Sequence, residues 1–399
     1  QEKPHSTYLT MIALGDFAVV KDTWRDKEVW YYVDPAFEPY AQQIFGNTPE
    51  MLEFYSTKLG YDYPWEKFHQ VIVHDFVSGA MENTSAVVHG EFVQQTPREM
   101  IDGTHEDVIA HELFHHWFGD LITSESWTHI TMNEGFATYG EYLWWEHKYG
   151  DEEARLHLQS DLDAYLSESI SGTNHKLIRR TYDDPDEVFD RHSYQKGGRV
   201  IHMLRNELGD DKFFEGLKLY LHQNAFGSVE DVHLRVAMEE ISGVDLTWFF
   251  DQWYHREGHP VVDVQYEQDS SSNELKVKVS QEEGVYGTFM FHVDLIAGAG
   301  ERSVTKRLWV DESSEAFSVV FDFVPEWYAI DPEGDMLWEV NEVKSGAAWM
   351  EQLERAPHFM TRSEALRTSY QLRTEFSVRY RKQLFNMLGS PEEFWAIKK

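Results

Sequence analysis

The sequence predicts a multidomain protein of mixed α and β structure, in the α+β class. Its 399 residues are enough for two to three domains, and 42% of them are hydrophobic, so the chain can bury a sizeable core. The hydrophobic pattern also changes along the chain, from mixed to helical, then to short alternating strands, and then back to helical. Strands and helices that occupy separate stretches are typical of α+β folds.

The N-terminal stretch contains two segments rich in β-branched and aromatic residues, Thr7 to Leu14 and Glu28 to Val33, which predict two strands. Helical periods follow as far as residue 255, with one further strand predicted at Val71 to His74. After Gly258 the alternation predicts a small antiparallel β-sandwich, and from Trp349 helical periods return. We therefore predict four segments, at residues 1–33, 34–255, 256–340 and 341–399.

The composition excludes several classes of function. There are 70 acidic and 35 basic residues, a formal charge of −35, so we expect neither nucleic acid nor an anionic membrane as a partner. The absence of cysteine excludes disulfides, thiolate metal sites and cysteine nucleophiles. No apolar run approaches the roughly 20 residues of a membrane helix, so we expect a soluble protein. The compartment (cytoplasmic, cell-envelope or secreted) and the oligomeric state stay open.

The strongest motif is His-Glu-x-x-His, within a stretch from Thr104 to Asp120 that predicts one helix. His111 and His115 stand four residues apart and therefore lie on one helix face, with Glu112 offset by about 100°. Two neutral imidazoles at this spacing suit a zinc ion. The carboxylate of Glu112 can then take a proton from the attacking water.

Glu134 is the candidate third ligand. It lies nineteen residues after His115, far enough for a turn and a second helix to return its carboxylate to the metal. Two histidines and one glutamate leave the fourth position open for water, which is the pattern of a catalytic zinc. We predict one zinc ion per chain. We expect the neighbouring His116 to point away from the metal and to support the site by packing or from outside the ligand set.

A second segment of interest is Gly79-Ala80-Met81-Glu82-Asn83. A lone glutamate in a loop is more often solvated than functional. An edge strand beside a zinc helix, however, can pair with an extended peptide through backbone hydrogen bonds, and a carboxylate at its end can neutralise an ammonium group.

Three motifs together, GAMEN at 79–83, HELFHHWFGD at 111–120 and NEGFA at 133–137, resemble the aminopeptidase N family of gluzincin zinc peptidases, which includes leukotriene hydrolase. The resemblance implies that the segment 79–83 binds substrate: Glu82 holds the free α-amine, and the backbone of Gly79 and Ala80 lies along the peptide. It also implies that Tyr194, in HSYQKGGRVIHML, stabilises the developing oxyanion.

The resemblance also gives the four segments an identity. It implies that residues 1–33 are the last strands of an N-terminal β domain, that 34–255 form a thermolysin-like catalytic domain, and that a β-sandwich at 256–340 precedes the start of a helical C-terminal domain at 341–399. Because most of both terminal domains would then lie outside this chain, we expect it to be a poor peptidase by itself.

The resulting hypothesis is a zinc-dependent aminopeptidase that removes N-terminal residues from peptides, with Glu112 as general base. Its expected partners are peptides with a free N-terminus. A zinc endopeptidase needs the same zinc motif but no amine anchor, and the resemblance also permits epoxide hydrolysis. A non-catalytic scaffold that keeps the fold is the alternative of another class, although the intact His111, His115, Glu112 and Glu134 count against it. The preferred first residue of the substrate stays open.

Overall fold

The computed structural model describes residues 2–172, 174–269, 271–282, 284 and 286–398. The chain divides into two compact units, one comprising Gln1–Lys148 and Ala164–His255, the other Tyr149–Asp163 and Arg256–Lys399. Both units contain helices and strands, which confirms the predicted α+β class. The division into four segments remains a prediction.

The first unit is built on one main sheet and a short pair of strands. Its described strands are β1 (Ala18–Trp24), β2 (Lys27–Val33), β3 (Lys67–Val73), β4 (Ala80–Met81), β5 (Ala86–Gly90), β6 (Ile122–Ser124) and β7 (Gly227–Val229). The main sheet has the order β1-β2-β3-β5-β4, in which β2, β3 and β5 run parallel and β1 and β4 are antiparallel edges. Alternation along β2 buries Val29, Tyr31 and Val33 completely, so one face of the sheet belongs to the core.

Most of the described helices also lie in the first unit. They are α1 (Ala41–Phe45), α2 (Thr48–Leu59), α3 (Glu106–Phe114), α4 (Thr131–Tyr149), α6 (Gly197–Leu208), α7 (Asp210–Asn224), α8 (Asp231–Ser242) and α9 (Thr247–Trp253), with the last residue of α4 grouped in the second unit. Helix α5 (Asp151–Ile170) is divided, with residues 151–163 in the second unit and the rest in the first. α2 illustrates the local signals: Pro49 stands in its first turn, and Gly60 ends it with a φ of 60°.

The second unit contains two sheets followed by helices. Its described strands are β8 (Val261–Gln268), β9 (Glu274–Gln281), β10 (Phe291–Ala299), β11 (Arg302–Val310), β12 (Ser314–Val320), β13 (Trp327–Ile330) and β14 (Glu339–Val343). They form sheets of order β12-β9-β8-β14 and β11-β10-β13, in the region predicted to be a sandwich. The helices are α10 (Gly346–Arg355), α11 (Phe359–Arg367), α12 (Ser369–Glu375) and α13 (Ser377–Gly389). Within the described part of the chain, none of the helices is both long and apolar enough to cross a lipid bilayer.

The prediction of a strand at Thr7 to Leu14 is wrong. Residues Thr7–Leu9 form a short 3₁₀ helix, and the hairpin is made instead by β1 and β2. Among the described residues no strand pairs with residues 10–14, and Ile12 and Leu14 are almost fully exposed. A strand needs a neighbour for its backbone hydrogen bonds, and β-forming side chains do not provide one.

Two further predictions need correction. The helix predicted from Thr104 to Asp120 ends at Phe114. The backbone N–H groups of His116 and Trp117 bond to carbonyl oxygens three residues earlier, as in a 3₁₀ turn, and Gly119 follows with a φ of 145°. At the beginning of the helix, no side chain makes a capping hydrogen bond. The sandwich region is also not purely antiparallel, because β14 pairs with β8 in parallel. The chain leaves β13 in one sheet and enters β14 at the edge of the other, beside β8.

Candidate metal centre

Helices α3 and α4 bring the three candidate metal ligands together. His111 lies in the last turn of α3, His115 caps its end, and Glu134 lies in the first turn of α4. Oε2 of Glu134 is 3.3 Å from Nε2 of His111 and 3.3 Å from Nε2 of His115. All three side chains are buried. They surround one point and could hold a metal ion.

The other ring nitrogen of each imidazole, Nδ1, donates a hydrogen bond to an acceptor outside the donor set. Nδ1 of His111 donates to Oε1 of Glu141 at 2.7 Å, and Nδ1 of His115 donates to the carbonyl oxygen of Phe118 at 3.0 Å. The lone pair of each Nε2 is therefore directed at Glu134. Oε2 of Glu134 faces both nitrogens at 3.3 Å, and all three acceptor atoms lie within 4.8 Å of one another. Acceptors this close repel unless a cation lies between them, so the donor set fits a metal ion.

The electrostatics of the site also favour positive charge. Burial by itself lowers the pKa of His115, but the carboxylates of Glu82 and Glu134 raise it to about 9. Burial by itself raises the pKa of Glu134, but the charges and hydrogen bonds of His115 and His111 lower it to about 2. The carboxylates and imidazoles of this site therefore stabilise positive charge at the position that a metal ion would take.

Glu112 lies beside the metal ligands with a free oxygen. Its side chain is buried, and among the described residues Oε2 has no hydrogen-bond partner. Burial raises the pKa of Glu112 to about 8, against the opposing charges of His111 and His115. A carboxyl group in this environment binds a proton readily near neutral pH.

The segment 79–83 forms the expected edge of the sheet. Gly79 has a φ of 80°, and the next two residues form β4, which pairs antiparallel with β5. The other edge of β4 is not paired with a strand among the described residues. At its end, Nδ2 of the buried Asn83 donates to the carbonyl oxygen of Leu9 at 3.1 Å. This bond fixes the strand end to the N-terminal 3₁₀ helix.

Glu82 points from the end of β4 toward the metal ligands. Its side chain is buried, and its carboxylate lies within 4.8 Å of both the Glu112 carboxylate and a ring nitrogen of His115. The hydroxyl of Tyr8 donates to Oε1 of Glu82 at 3.1 Å. Burial and the nearby carboxylates raise the pKa of Tyr8 far above its ordinary value, so this hydroxyl keeps its proton.

Tyr194 lies in a π-helical turn, His192–Lys196, directly before α6. Its ring stacks on the ring of His111, with centroids 5.8 Å apart and planes at 8°. Burial and the carboxylates of Glu134, Glu82 and Glu112 raise the pKa of Tyr194, so its hydroxyl keeps its proton and can donate a hydrogen bond. Single turns of π-helix are frequent at functional sites.

One cavity of about 780 Å³ connects these groups. Among the predicted site residues its lining includes Ala80, Met81, Glu82, His111, Glu112, His115, Glu134 and Tyr194. Gly79 and Asn83 flank the lining strand instead of forming the wall. His116 lies outside the cavity, where its Nε2 accepts a hydrogen bond from the backbone N–H of Ser85 at 2.9 Å.

The sequence did not predict several residues of this site, among them Tyr8, Trp127 and Glu141. Glu141 had a detectable signal, because it follows Glu134 by two helical turns and shares its face of α4. Tyr8 and Trp127 line the cavity, with ring centroids 5.6 Å apart, but no local pattern relates either of them to the motif residues.

Comparison with known proteins agrees with this geometry. The sequence model of the peptidase family M1 domain matches residues 44–253, more than half of the chain. Aminopeptidase 2 of Candida albicans is 28% identical over 342 residues, which cover 79% of this chain and 36% of that protein. Tricorn protease-interacting factor F2 of Thermoplasma acidophilum is 29% identical over 333 residues, 79% of this chain and 40% of that protein.

Other matches are consistent. Glutamyl aminopeptidase of Bos taurus is 32% identical over 271 residues, 65% of this chain and 28% of that protein. The crystal structure of Legionella pneumophila aminopeptidase A in complex with aspartic acid shares the fold, with a TM-score of 0.81 and 17% identity over 94% of this chain and 45% of that one. The chain thus spans less than half of the proteins it matches. With the family model covering both the GAMEN segment and the metal centre, the chain belongs to peptidase family M1, as its motifs predict.

Proposed function

We propose that this chain carries the catalytic site of a zinc-dependent aminopeptidase, which hydrolyses the bond after the first residue of a peptide with a free N-terminus. One observation carries the proposal: a single cavity contains a convergent His-His-Glu donor set and, beside it, the buried carboxylate of Glu82. The donor set can hold the metal ion that hydrolysis requires. The carboxylate can bind the ammonium group of a peptide's N-terminus. Membership of peptidase family M1 supports the first part.

Zinc is the ion that the ligands fit best, with one ion per chain. Donor atoms about 2.05 Å from a tetrahedral zinc are about 3.3 Å apart. That spacing matches the 3.3 Å from Oε2 of Glu134 to each imidazole nitrogen. When bound, zinc polarises the scissile carbonyl and activates a water molecule near neutral pH.

Glu112 is the proposed general base. It is adjacent to His111 in α3, and its unpartnered Oε2 is available to accept the proton of the attacking water. Because burial raises its pKa to about 8, the same carboxyl can then release that proton to the departing amine. Tyr194 would donate its hydroxyl hydrogen to the oxyanion as negative charge develops on the carbonyl oxygen.

Glu82 is the proposed anchor of the substrate amine. An ammonium group that enters a buried site must meet a carboxylate to offset the loss of its hydration. The exposed edge of β4 can at the same time pair with the substrate backbone, as an added strand. Together these contacts would place the first peptide bond, and no later one, at the metal centre.

The first test concerns the metal. The chelator-treated chain, reconstituted with zinc, is expected to bind about one zinc ion per chain, measured by elemental analysis after gel filtration. The variant His111→Ala should lose most of this affinity, whereas His105→Ala, at the beginning of the same helix, should retain it. Full zinc affinity in His111→Ala would contradict the ligand assignment.

The second test distinguishes an aminopeptidase from an endopeptidase or an inactive scaffold. We expect the zinc-loaded chain to cleave peptides with a free N-terminus at a low rate and to leave their acetylated forms intact. Glu82→Gln should lower kcat/KM on the free peptides without changing zinc content, and Glu91→Gln, an exposed residue nearby, serves as its control. Equal cleavage of both peptide forms indicates an endopeptidase, and no cleavage despite bound zinc, in an assay sensitive to slow turnover, indicates a scaffold.

A further inference from the structure

Tyr8 occupies the end of the cavity where the substrate amine would lie. Its hydroxyl donates to Oε1 of Glu82 at 3.1 Å, and its ring lies edge-on against Trp127, with centroids 5.6 Å apart. Nδ2 of the buried Asn133, one residue before Glu134, approaches the same hydroxyl oxygen at 3.5 Å. Tyr8 therefore contacts both the proposed amine anchor and the beginning of the helix that carries a metal ligand.

The N-terminal segment is held in this position by a second bond. The carbonyl oxygen of Leu9 accepts a hydrogen bond from Asn83 at 3.1 Å, and Leu9 itself is buried. Two successive residues of the N-terminal 3₁₀ helix thus bond to two successive residues at the end of β4, Glu82 and Asn83. This paired contact fixes the direction of the Tyr8 hydroxyl relative to the Glu82 carboxylate.

The hydrogen-bonding capacity of these groups leaves a defined place for an ammonium ion. Tyr8 uses its only proton on Oε1 of Glu82, and Nδ2 of Asn133 donates to one lone pair of the phenolic oxygen, so the second lone pair can accept one N–H. Oε2 of Glu82 can accept a second N–H from the same ammonium. The carboxyl group of Glu112 is close to that of Glu82, both lying within 4.8 Å of a ring nitrogen of His115, so the Tyr8 bond also fixes which oxygen of Glu82 remains for the ammonium.

We propose that Tyr8 determines specificity for a free α-amine, because its hydroxyl orients Glu82 and accepts a second hydrogen bond from the substrate ammonium. This inference rests on the proposed aminopeptidase function. It extends the amine site from the segment 79–83 to a residue more than seventy positions earlier in the sequence.

Two hydroxamates test the inference by binding rather than turnover. Leucine hydroxamate carries the α-amine, and its desamino counterpart, 4-methylpentanohydroxamic acid, lacks it; both bind a catalytic zinc through the hydroxamate group. Calorimetry on the zinc-loaded chain gives the dissociation constant of each probe. The constant of the desamino probe divided by that of leucine hydroxamate measures the contribution of the amine. Tyr8→Phe removes one hydroxyl and should reduce this ratio by about tenfold, the size of one hydrogen bond to a charged group.

A matched control is Tyr31→Phe, which removes a hydroxyl that donates to Asp22 at 3.0 Å, outside the residues that line the cavity. It should leave the ratio unchanged. A double variant, Tyr8→Phe with Glu82→Gln, should lose little more than Glu82→Gln alone, since the two groups act on the same ammonium. Affinity for the desamino probe should be the same in all these variants, which also verifies that each one folds around its metal.

The outcomes separate the two proposals. A wild-type ratio near one would overturn the aminopeptidase function, and the role of Tyr8 with it. A large wild-type ratio that persists in Tyr8→Phe overturns the role of Tyr8 alone. An equal loss of affinity for both probes in Tyr8→Phe would assign Tyr8 to packing, and would likewise overturn the inference.

Discussion

The hydroxyl group of Tyr194 is the proposed hydrogen-bond donor to the oxyanion. Tyr194→Phe is expected to lower kcat by a factor on the order of 100 to 1,000 and to change KM little, because the hydroxyl binds the oxyanion only as its charge develops. The measurement is kcat and KM of the zinc-loaded chain on an aminoacyl anilide. Tyr31→Phe is the control for loss of a buried hydroxyl elsewhere. A near-normal kcat would mean that the stacking of Tyr194 on His111 is its main role.

Residues related by helical periodicity could be predicted from the sequence, and those related only by tertiary contact could not. The spacing of His111 and His115 determines that both rings lie on one side of α3, whatever surrounds them. The hydrogen bond between Tyr8 and Glu82 joins residues 74 positions apart, and no local pattern encodes it. The resemblance supplied Tyr194, which by itself is one aromatic residue among 59.

At the scale of elements, the site depends on how closely α4 and α6 approach. A Cβ atom added to Gly197, the first residue of α6, would lie 2.4 Å from Oγ1 of Thr131 and 2.9 Å from Cα of Gly135. Gly135 follows the ligand Glu134, and α6 follows the turn that carries Tyr194. Two glycines thus set the distance between the metal centre and the proposed oxyanion donor.

Gly197→Ala should separate these helices. We expect a loss of about 1 to 3 kcal/mol in the free energy of unfolding, from overpacking, together with a lower kcat because Tyr194 moves from the metal centre. Urea denaturation and steady-state kinetics measure the two effects. The control is Gly389→Ala near the end of α13, where an added Cβ meets no atom within 4 Å. Unchanged stability and kcat in Gly197→Ala would show that α4 and α6 can move apart without displacing Tyr194.

Secondary structure was predictable where the signal lies within the element. For example, the helical period predicts a helix from Asp151 to Ser169, and α5 spans Asp151–Ile170. The strand predicted at Thr7 to Leu14 failed because pairing depends on a neighbour that the segment itself does not specify. The end of α3 was missed because Gly119, with its φ of 145°, acts from beyond the helix.

At the scale of the whole molecule, the formal charge of −35 means that the folded chain holds many like charges close together. Several ion pairs at the surface, such as that of Arg25 with Glu53, are exposed and contribute little. Titration of these many carboxylates also changes the free energy of unfolding with pH, so the contribution of any single group must be separated from theirs. Buried histidines offer a way to do so, because they titrate in a range where the carboxylates are largely ionised.

His89 in β5 gives the clearest pH prediction. It is fully buried, its Nε2 donates to Oε1 of Gln70 at 3.1 Å, and burial lowers its pKa to about 3. The folded chain therefore keeps His89 neutral, whereas the unfolded chain protonates it below pH about 6.5. Stability is unaffected above that value and falls as the pH decreases toward 3, because the unfolded state then binds one more proton.

The expected cost from His89 is about 2.5 kcal/mol between pH 7.5 and pH 4.5. Urea denaturation of the metal-free chain at both pH values measures the total change, to which other groups also contribute. His89→Gln retains a donor for Gln70 but has no group to protonate, so its stability should fall by about 2.5 kcal/mol less over the same interval. Identical pH dependence in both proteins would mean that His89 is protonated in the folded state as readily as in the unfolded one. Because each protein is compared only with itself at the two pH values, the background of carboxylate titration cancels between them.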